Sequence, residues 1–407
     1  MDIKSKMNWK FSDLKGGLFD TVTKADVGEG AGNLMAQGYD IMAWADPFFP
    51  DPSIPDSVKK TMIAAFEDGF SSHYTMPMGN ADLRRVVSKK LWEQNGIKAD
   101  PSRNILITPG SDSGLLYAMM PFIGEGDEVL IPDPSYPSNF LNAKLCGGVA
   151  VPVPLREENN WQPEIDEFEK RVTEKTKMVL ISHPNNPTST VFRREAMEKL
   201  CRFVIEHDLI LVSDQAFEDF IFDDIEFVSP AVLPGMWERT VTIFSISKGI
   251  GLSGFRVGYI VADDHIMDVL YGGTVNVLGA TNTAAQFGAI TALEDKAILK
   301  EYYEIMDKRR KLAYDIFKSI PGVTVRLSES GFLSWLNISR LGTSAEIVSY
   351  LIREAKVVVN EGTPYGAQGE GYIRIVHGCF KDEKRAVNAY VRIKEALTKL
   401  AKEKGIK

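Results

Sequence analysis

The 407-residue chain has few of the residues that build metal clusters or disulfide frameworks. Its three cysteines, Cys146, Cys201 and Cys379, are far apart and form no CxxC pair, and its five histidines lack the spacing of metal ligands. We therefore expect no disulfides and no bound metal, and the composition fits a reducing compartment.

Long hydrophobic runs and basic blocks are missing as well. The apolar stretch least interrupted by charged residues, 269–280, is too short and too rich in glycine to span a bilayer. The first fifteen residues lack the apolar core of a signal peptide, so we expect a cytoplasmic protein. A formal net charge of −8 without basic clusters disfavours nucleic acid and membranes as partners. A local site can still hold a small anionic ligand.

The remaining pattern is that of a soluble α/β protein. The length exceeds what one hydrophobic core usually serves, which favours two domains. Seven short apolar runs alternate with amphipathic helices such as 193–207. Most runs lack in/out alternation, which is typical of parallel strands covered on both faces. The runs are 104–107, 128–131, 149–153, 177–182, 209–213, 240–247 and 257–261. They predict a mostly parallel, doubly wound sheet whose strand order the pattern does not give.

A change of pattern near residue 290 predicts a second, smaller α+β domain. A long charged helix is predicted over 295–320, and a shorter helix over 344–354 and a last helix after Lys381 follow. Strands are predicted at 323–326, 332–338, 357–360 and 372–376. We predict an arm with a short helix over 1–54 that joins the smaller domain, a large domain over 55–290, and a small C-terminal domain over 291–407.

Three polar residues follow three of the predicted strands. Asn186 comes after 177–182, Asp214 after 209–213, and Lys248 after 240–247. In open α/β sheets, ligand sites gather beyond the carboxyl ends of the strands. The fold prediction therefore brings an amide, a carboxylate and an amine toward one crevice.

The sequence from Ser245 to Gly258, SISKGIGLSGFRVG, resembles the cofactor-lysine motif of fold-type I pyridoxal-phosphate enzymes in the class I/II aminotransferase superfamily. Arg256 is the eighth residue after Lys248, as in that family. The resemblance implies the fold-type I architecture and pyridoxal 5′-phosphate bound covalently by Lys248, with Ser245 and Arg256 on its phosphate. A desolvated lysine near other charges is a usable nucleophile and base.

Other family segments occur in the expected order. Ser111 and Asp112, in TPGSDSG, resemble the phosphate-binding turn at a helix N-terminus. Tyr136, in DPSYP, resembles the ring that stacks on the pyridine. Asn186, in PNNPT, resembles the donor to the cofactor's phenolic oxygen, and Asp214 the carboxylate that pairs with the pyridine nitrogen.

The resemblance extends to substrate and partner residues. Arg374, in EGYIRI, resembles the arginine that binds the substrate carboxylate together with Asn186, and Ala45 stands where the family has a glycine behind the substrate. Tyr74, in HYT, resembles a tyrosine that reaches the phosphate of the neighbouring subunit. The implied protein is a homodimeric aminotransferase with a shared active site. It moves an amino group between an amino acid and a 2-oxo acid, with Lys248, Asp214 and Tyr136 as catalytic residues.

Departures from the family keep alternatives open. Phe217 replaces a tyrosine whose hydroxyl meets the cofactor, and Ser189 replaces a glycine. Phe217 fills the space but cannot donate a hydrogen bond, so elimination, decarboxylation, oxidation or cyclisation on the same scaffold is an alternative. A non-catalytic binding module is a third hypothesis, which the intact Lys248, Asp214 and Arg374 disfavour.

Three further residues or segments are less decisive. The stretch 270–293 contains no arginine, which disfavours aspartate or glutamate as the dedicated amino donor. His183 and His377 flank the family segments, and the sequence favours neither the core nor the wall of a cavity for them.

Overall fold

The computed structural model describes residues 4–11 and 29–407. In those ranges the strands are β1 (Asp40–Ile41), β2 (Ile105–Thr108), β3 (Glu128–Asp133), β4 (Val149–Pro154), β5 (Thr176–Ser182), β6 (Ile210–Asp214), β7 (Thr240–Ser245), β8 (Gly258–Val261), β9 (Thr324–Val325), β10 (Leu333–Asn337), β11 (Val357–Val358), β12 (Asn360–Glu361) and β13 (Tyr372–Val376). The α-helices are α1 (Glu29–Ala36), α2 (Asp56–Glu67), α3 (Ala81–Lys90), α4 (Ser111–Met119), α5 (Pro137–Cys146), α6 (Ile165–Glu169), α7 (Arg194–Glu206), α8 (Asp264–Val277), α9 (Thr283–Glu294), α10 (Lys296–Phe317), α11 (Ser344–Ala355) and α12 (Glu383–Glu403).

A seven-stranded sheet of order β2-β8-β7-β6-β5-β3-β4 forms the larger layer. All seven apolar runs of the sequence are strands of this sheet. Pairs among β3 to β7 are parallel, and β8 runs antiparallel to both of its neighbours. The prediction of a mostly parallel sheet is therefore confirmed, and the structure adds the strand order.

Both faces of this sheet are covered, which explains the missing alternation in its strands. On β5, Met178 and Leu180 pack in one cluster with residues of α4 and α8. Val179 and Ile181 of the same strand pack in a second cluster with residues of α7. Successive side chains of a strand point to opposite faces, so an apolar residue is needed at every position.

A four-stranded antiparallel sheet of order β12-β13-β10-β9 forms the smaller layer, followed by the long helix α12. The chain before Pro55 joins this part, because β1 pairs in parallel with β11. The prediction of one strand over 357–360 is wrong. The chain divides it, with β11 paired to β1 and β12 paired to β13, which sets Asn360 opposite Arg374.

The N-terminal arm is described in part. Residues 1–3 and 12–28 of the predicted arm lie outside the described residues, and α1 is a short helix within its last part. Near the start of the chain, the Trp9 ring lies 6.0 Å from the Lys144 ammonium on α5. Among the described residues no helix is long and apolar enough to cross a bilayer.

Candidate active site

A cavity of about 250 Å³ opens at the carboxyl edge of the large sheet. Its lining comes from the ends of β2, β3, β5, β6 and β7, from the turn before β8, from the segment after β1, and from β13 of the smaller sheet. The lining residues are Trp44, Ala45, Asp46, Ser111, Asp112, Leu115, Tyr136, Asn186, Asp214, Ala216, Phe217, Ser247, Lys248, Ser253, Arg256 and Arg374. Parallel strands deliver these side chains to one place because all of their carboxyl ends lie at the same edge.

Lys248 reaches into the cavity from the turn that follows β7. The Ser245 hydroxyl accepts a hydrogen bond from the Ser247 N–H at 3.1 Å, which holds this turn. The Lys248 ammonium donates to the carbonyl oxygen of Ala45 and lies 5.9 Å from the centre of the Phe217 ring. The amine is therefore partly shielded from water and faces a carbonyl and an aromatic ring.

Asp214, the last residue of β6, lies next to Lys248 in the cavity. Its Oδ1 accepts from the Ala216 N–H at 3.1 Å, and the Ser182 hydroxyl lies 3.5 Å from its Oδ2. Burial raises the pKa of Asp214 to about 6, although the Ala216 N–H opposes this shift. A carboxylate that is short of solvation is suited to accept a hydrogen bond from a cationic ring nitrogen.

A guanidinium and backbone N–H groups lie close together at the N-terminus of α4. Gly110 has a φ of +84°, and a Cβ on it would lie 2.4 Å from Arg256 Nη2. A Cβ on Gly258 would lie 2.6 Å from the Ser111 nitrogen. The two glycines thus let the Arg256 guanidinium and the first N–H groups of α4 converge. Asp112 lies 3.6 Å from Arg256 and accepts from the Tyr136 hydroxyl at 3.0 Å.

Arg374 is fully buried on β13 and lines the cavity. Its Nη1 donates to Asn186 Oδ1 at 3.0 Å, and its Nη2 donates to Asn360 Oδ1 at 2.7 Å and to the Ala43 carbonyl at 2.8 Å. The Tyr365 ring lies 5.0 Å from the guanidinium carbon. The Asn186, Asn360 and Ala43 oxygens that accept from this guanidinium are all neutral.

Nine of the eleven site residues proposed from the sequence line the cavity, and they are Ala45, Ser111, Asp112, Tyr136, Asn186, Asp214, Lys248, Arg256 and Arg374. Ser245 lies outside the lining, buried behind the lysine turn. Tyr74 also lies outside it and is 95% exposed.

Four other residues of the site were not proposed from the sequence. Trp44, Asp46 and Ser253 line the cavity, and Asn360 orients Arg374. A cavity wall is formed by whatever side chain the fold brings there, and only Ser253 lies within a motif that the sequence singled out.

His183 and His377 belong to the core. The His183 ring stacks between Phe192 and Phe227 at 5.3 and 4.6 Å, and Nδ1 of His377 lies 2.9 Å from the Ser334 hydroxyl. Burial lowers the pKa of each to about 3, so both stay neutral at physiological pH.

Comparison with known proteins decides the family. The profile of the family Aminotransferase class I and II matches residues 41–390. The chain belongs to this family. It is 35% identical to an aspartate aminotransferase of Pyrococcus abyssi over 357 residues, which cover 87% of this chain and 89% of that protein. It is 33% identical to an aromatic-amino-acid aminotransferase 2 of Thermococcus litoralis over the same shares of the two chains.

Solved structures give the same result for the fold. The crystal structure of an aromatic aminotransferase from Pyrococcus horikoshii OT3 matches with a TM-score of 0.84 at 31% identity. The match covers 92% of this chain and 99% of that one. The fold-type I architecture is thereby confirmed, and so is the prediction that the protein is an enzyme, an aminotransferase. The alternative reaction types suggested by Phe217 are not favoured by these relatives.

Proposed function

We propose that this aminotransferase binds pyridoxal 5′-phosphate through Lys248 and transfers an amino group from an amino acid to a 2-oxo acid. The observation that carries the proposal is the convergence of Lys248, Asp214, Asn186 and Arg374 from four separate elements on one cavity. An amine, a carboxylate, an amide and a guanidinium at one sheet edge match the groups that such a cofactor and an amino acid require.

The residues present fit the cofactor. Because Gly110 has no Cβ, the Arg256 guanidinium can lie beside the N-terminus of α4. A guanidinium and helix N-terminal N–H groups together are suited to hold a phosphate. Ser111, Asp112 and Ser245 are proposed to complete the phosphate site, and Tyr136 to stack on the ring. When bound, the cofactor supplies an electron sink for the negative charge that develops at the substrate Cα.

The protein groups then orient the substrate and move its proton. Arg374, with Asn186 beside it, is proposed to bind the α-carboxylate, which restricts rotation of the substrate about its Cα. Lys248 would act as the base that removes the proton from the substrate Cα and delivers it to the C4′ carbon of the cofactor. Asp214 would hold the cofactor's ring nitrogen in its protonated form, and Ala45 would lie behind the substrate.

We propose a donor with an uncharged side chain. Of the described residues that line the cavity, the cations are Lys248, Arg256 and Arg374, and each has a role above. Asp46 in the same lining would repel a second carboxylate, whereas Trp44 offers an apolar surface. Among the relatives named for aspartate and for aromatic amino acids, this lining favours the latter kind of donor.

We further propose a cytoplasmic homodimer in which Tyr74 reaches the phosphate in the neighbouring subunit. Large apolar side chains cluster in sequence around Tyr74 and are exposed, namely Phe66, Phe70 and Met76 at 62%, 70% and 72%. Exposed apolar surface of this kind marks a protein interface. The division into an arm over 1–54, a large domain over 55–290 and a small domain over 291–407 is part of the same proposal.

The half-reaction tests the function. Amino acids are added one at a time to the purified holoenzyme without any oxo acid, and the visible spectrum is recorded. We expect one donor to change the cofactor band once and stoichiometrically, and an oxo acid to restore it. Continuous consumption of the amino acid with a persistent band would overturn the assignment. A sedimentation measurement of the same sample tests the dimer.

A further inference from the structure

A buried cluster of charged residues lies beneath the lysine turn, outside the lining of the active-site cavity. Lys90 forms ion pairs with Glu218 and, at 3.3 Å, with Asp219. Asn95 donates to Glu218 Oε2 at 2.8 Å. The side chains of Lys90, Glu218 and Asp219 are 9%, 6% and 5% exposed. One cation and two carboxylates are thus enclosed together by the fold.

The position of Lys90 in the sequence makes this burial unusual. Lys90 follows Leu83 and Val87 on the buried face of α3, where the helical period calls for an apolar residue. Burial lowers the pKa of Lys90, but the negative charges of Asp219 and Glu218 outweigh this and raise it above the ordinary value. The lysine therefore stays charged and binds two carboxylates that belong to one segment of chain.

That segment, 214–220, also forms part of the active site. Its first residue is Asp214, and Phe217 lies under the Lys248 ammonium, whereas Glu218 and Asp219 are bound by Lys90. Removing one partner of a buried ion pair leaves an uncompensated buried charge and is strongly destabilising, so Lys90 holds the far end of the segment firmly.

Asp219 in turn contacts the residue next to Lys248. A Cβ added to Gly249 would lie 2.2 Å from Asp219 Oδ2 and 2.4 Å from its Cβ. Gly249 does not have a positive φ, so glycine is needed here for space and not for backbone conformation. The lysine turn therefore rests directly on the Asp219 side chain.

We propose that Asp219, bound by Lys90, is a positioning residue that supports the turn at Gly249 and sets where Lys248 lies. The inference rests on the proposed role of Lys248 as the cofactor lysine. It assigns a purpose to a buried lysine that touches neither the cavity nor the substrate site.

A double-mutant cycle between Gly249 and Asp219 tests the contact in the holoenzyme. Gly249→Ala adds a methyl group that must displace the turn or the carboxylate, and we expect kcat to fall roughly tenfold to a hundredfold. Asp219→Ser removes the support for the turn but makes room and leaves a balanced Lys90–Glu218 pair, so we expect a smaller loss of about threefold to tenfold, and an unchanged kcat would contradict the proposal. Combining the two should restore kcat to near that of Asp219→Ser.

If Asp219 only stabilises the fold and does not support the turn, the double variant should not recover activity. The two losses would then add, and a double variant as slow as Gly249→Ala, or slower, would overturn the proposal. KM for the amino donor should stay within about threefold in all variants, because Arg374 is untouched. A second readout is the fraction of cofactor fixed to residue 248 after borohydride reduction, measured by mass spectrometry, which should fall in Gly249→Ala and recover in the double variant.

Lys90→Met provides an independent test with a matched control. Lys89 on the same helix is 72% exposed, so Lys89→Met should leave kcat and cofactor attachment unchanged. Lys90→Met should lower kcat roughly tenfold or more, and a wild-type kcat in this variant would contradict the proposal. If Lys90→Met does not fold, the cycle at Gly249 decides. If cofactor is not attached to Lys248 in the wild type, the proposed function fails instead.

Discussion

Arg374 donates a 3.0 Å hydrogen bond to Asn186, although the two residues lie 188 positions apart in the chain. Asn360 and the Ala43 carbonyl hold the same guanidinium from other directions. The guanidinium is thus fixed by a network of neutral acceptors and does not have to be ordered by the substrate. Such preorganisation strengthens binding, because no free energy is lost in ordering a mobile side chain.

Replacing Arg374 by lysine should weaken binding of the amino acid even though the positive charge is kept. Lysine cannot form the planar, two-pronged contact with a carboxylate, so we expect kcat/KM to fall by about a hundredfold, mainly through KM. Steady-state kinetics with the donor found in the half-reaction assay measure this. Arg353→Lys, at an exposed position, is the control, and equal effects of the two changes would contradict the assignment.

Replacing Lys248 by alanine should abolish turnover and leave a folded protein. The side chain is the proposed base and point of cofactor attachment, but it is only partly buried and its amine contacts the Ala45 carbonyl at the cavity wall. We expect far-ultraviolet circular dichroism like that of the wild type and loss of activity by at least about 10⁴-fold. Full activity in this variant would rule out the mechanism.

Replacing Asp214 by asparagine should make the cofactor-free protein more stable and the enzyme inactive. Burial raises the pKa of Asp214 to about 6 from an unfolded value near 3.9, so the native state binds the proton more tightly than the unfolded state. The stabilisation from this proton is complete below about pH 4 and is lost as the pH rises through about 6. The asparagine variant has no such group to ionise.

Urea unfolding of the cofactor-free wild type and Asp214→Asn over this pH range measures the effect. The stability advantage of the variant should grow by up to roughly 3 kcal/mol between about pH 4 and pH 7. A constant difference would show that Asp214 titrates normally. With cofactor bound, the variant should lose activity by about a hundredfold or more, because the ring nitrogen loses its carboxylate partner.

Replacing Phe217 by tyrosine should change the pH response of the bound cofactor. The ring lies 5.9 Å from the Lys248 ammonium, so a hydroxyl on it adds a hydrogen-bond donor within the cavity. A donor to the phenolic oxygen favours its anionic form, and we expect the pH midpoint of the visible absorbance to fall by about one unit. Phe255→Tyr, outside the cavity lining, should leave the midpoint unchanged, and an unchanged midpoint in both would show that the added hydroxyl does not reach the cofactor.

The sequence by itself determined the kind of fold and most of the site. Strands covered on both faces must be apolar at every position, so all seven strands of the large sheet were visible as runs. The residues that follow such strands meet at one edge, which placed Asn186, Asp214 and Lys248 together. The helix 193–207 was predicted within one residue at each end, because its buried face repeats with the helical period.

Only the tertiary structure decided the strand order, the division of 357–360 between two sheets, and the surroundings of each functional group. Pairing partners depend on the whole packed arrangement, which no local period records. Three further features likewise depend on the whole packed arrangement: the hydrogen bond from Arg374 to the Asn360 amide oxygen, the core positions of His183 and His377, and the burial of Lys90. A lysine in a helix is ordinarily exposed, and Lys90 is buried because the fold brings Glu218 and Asp219 to it from more than a hundred residues away.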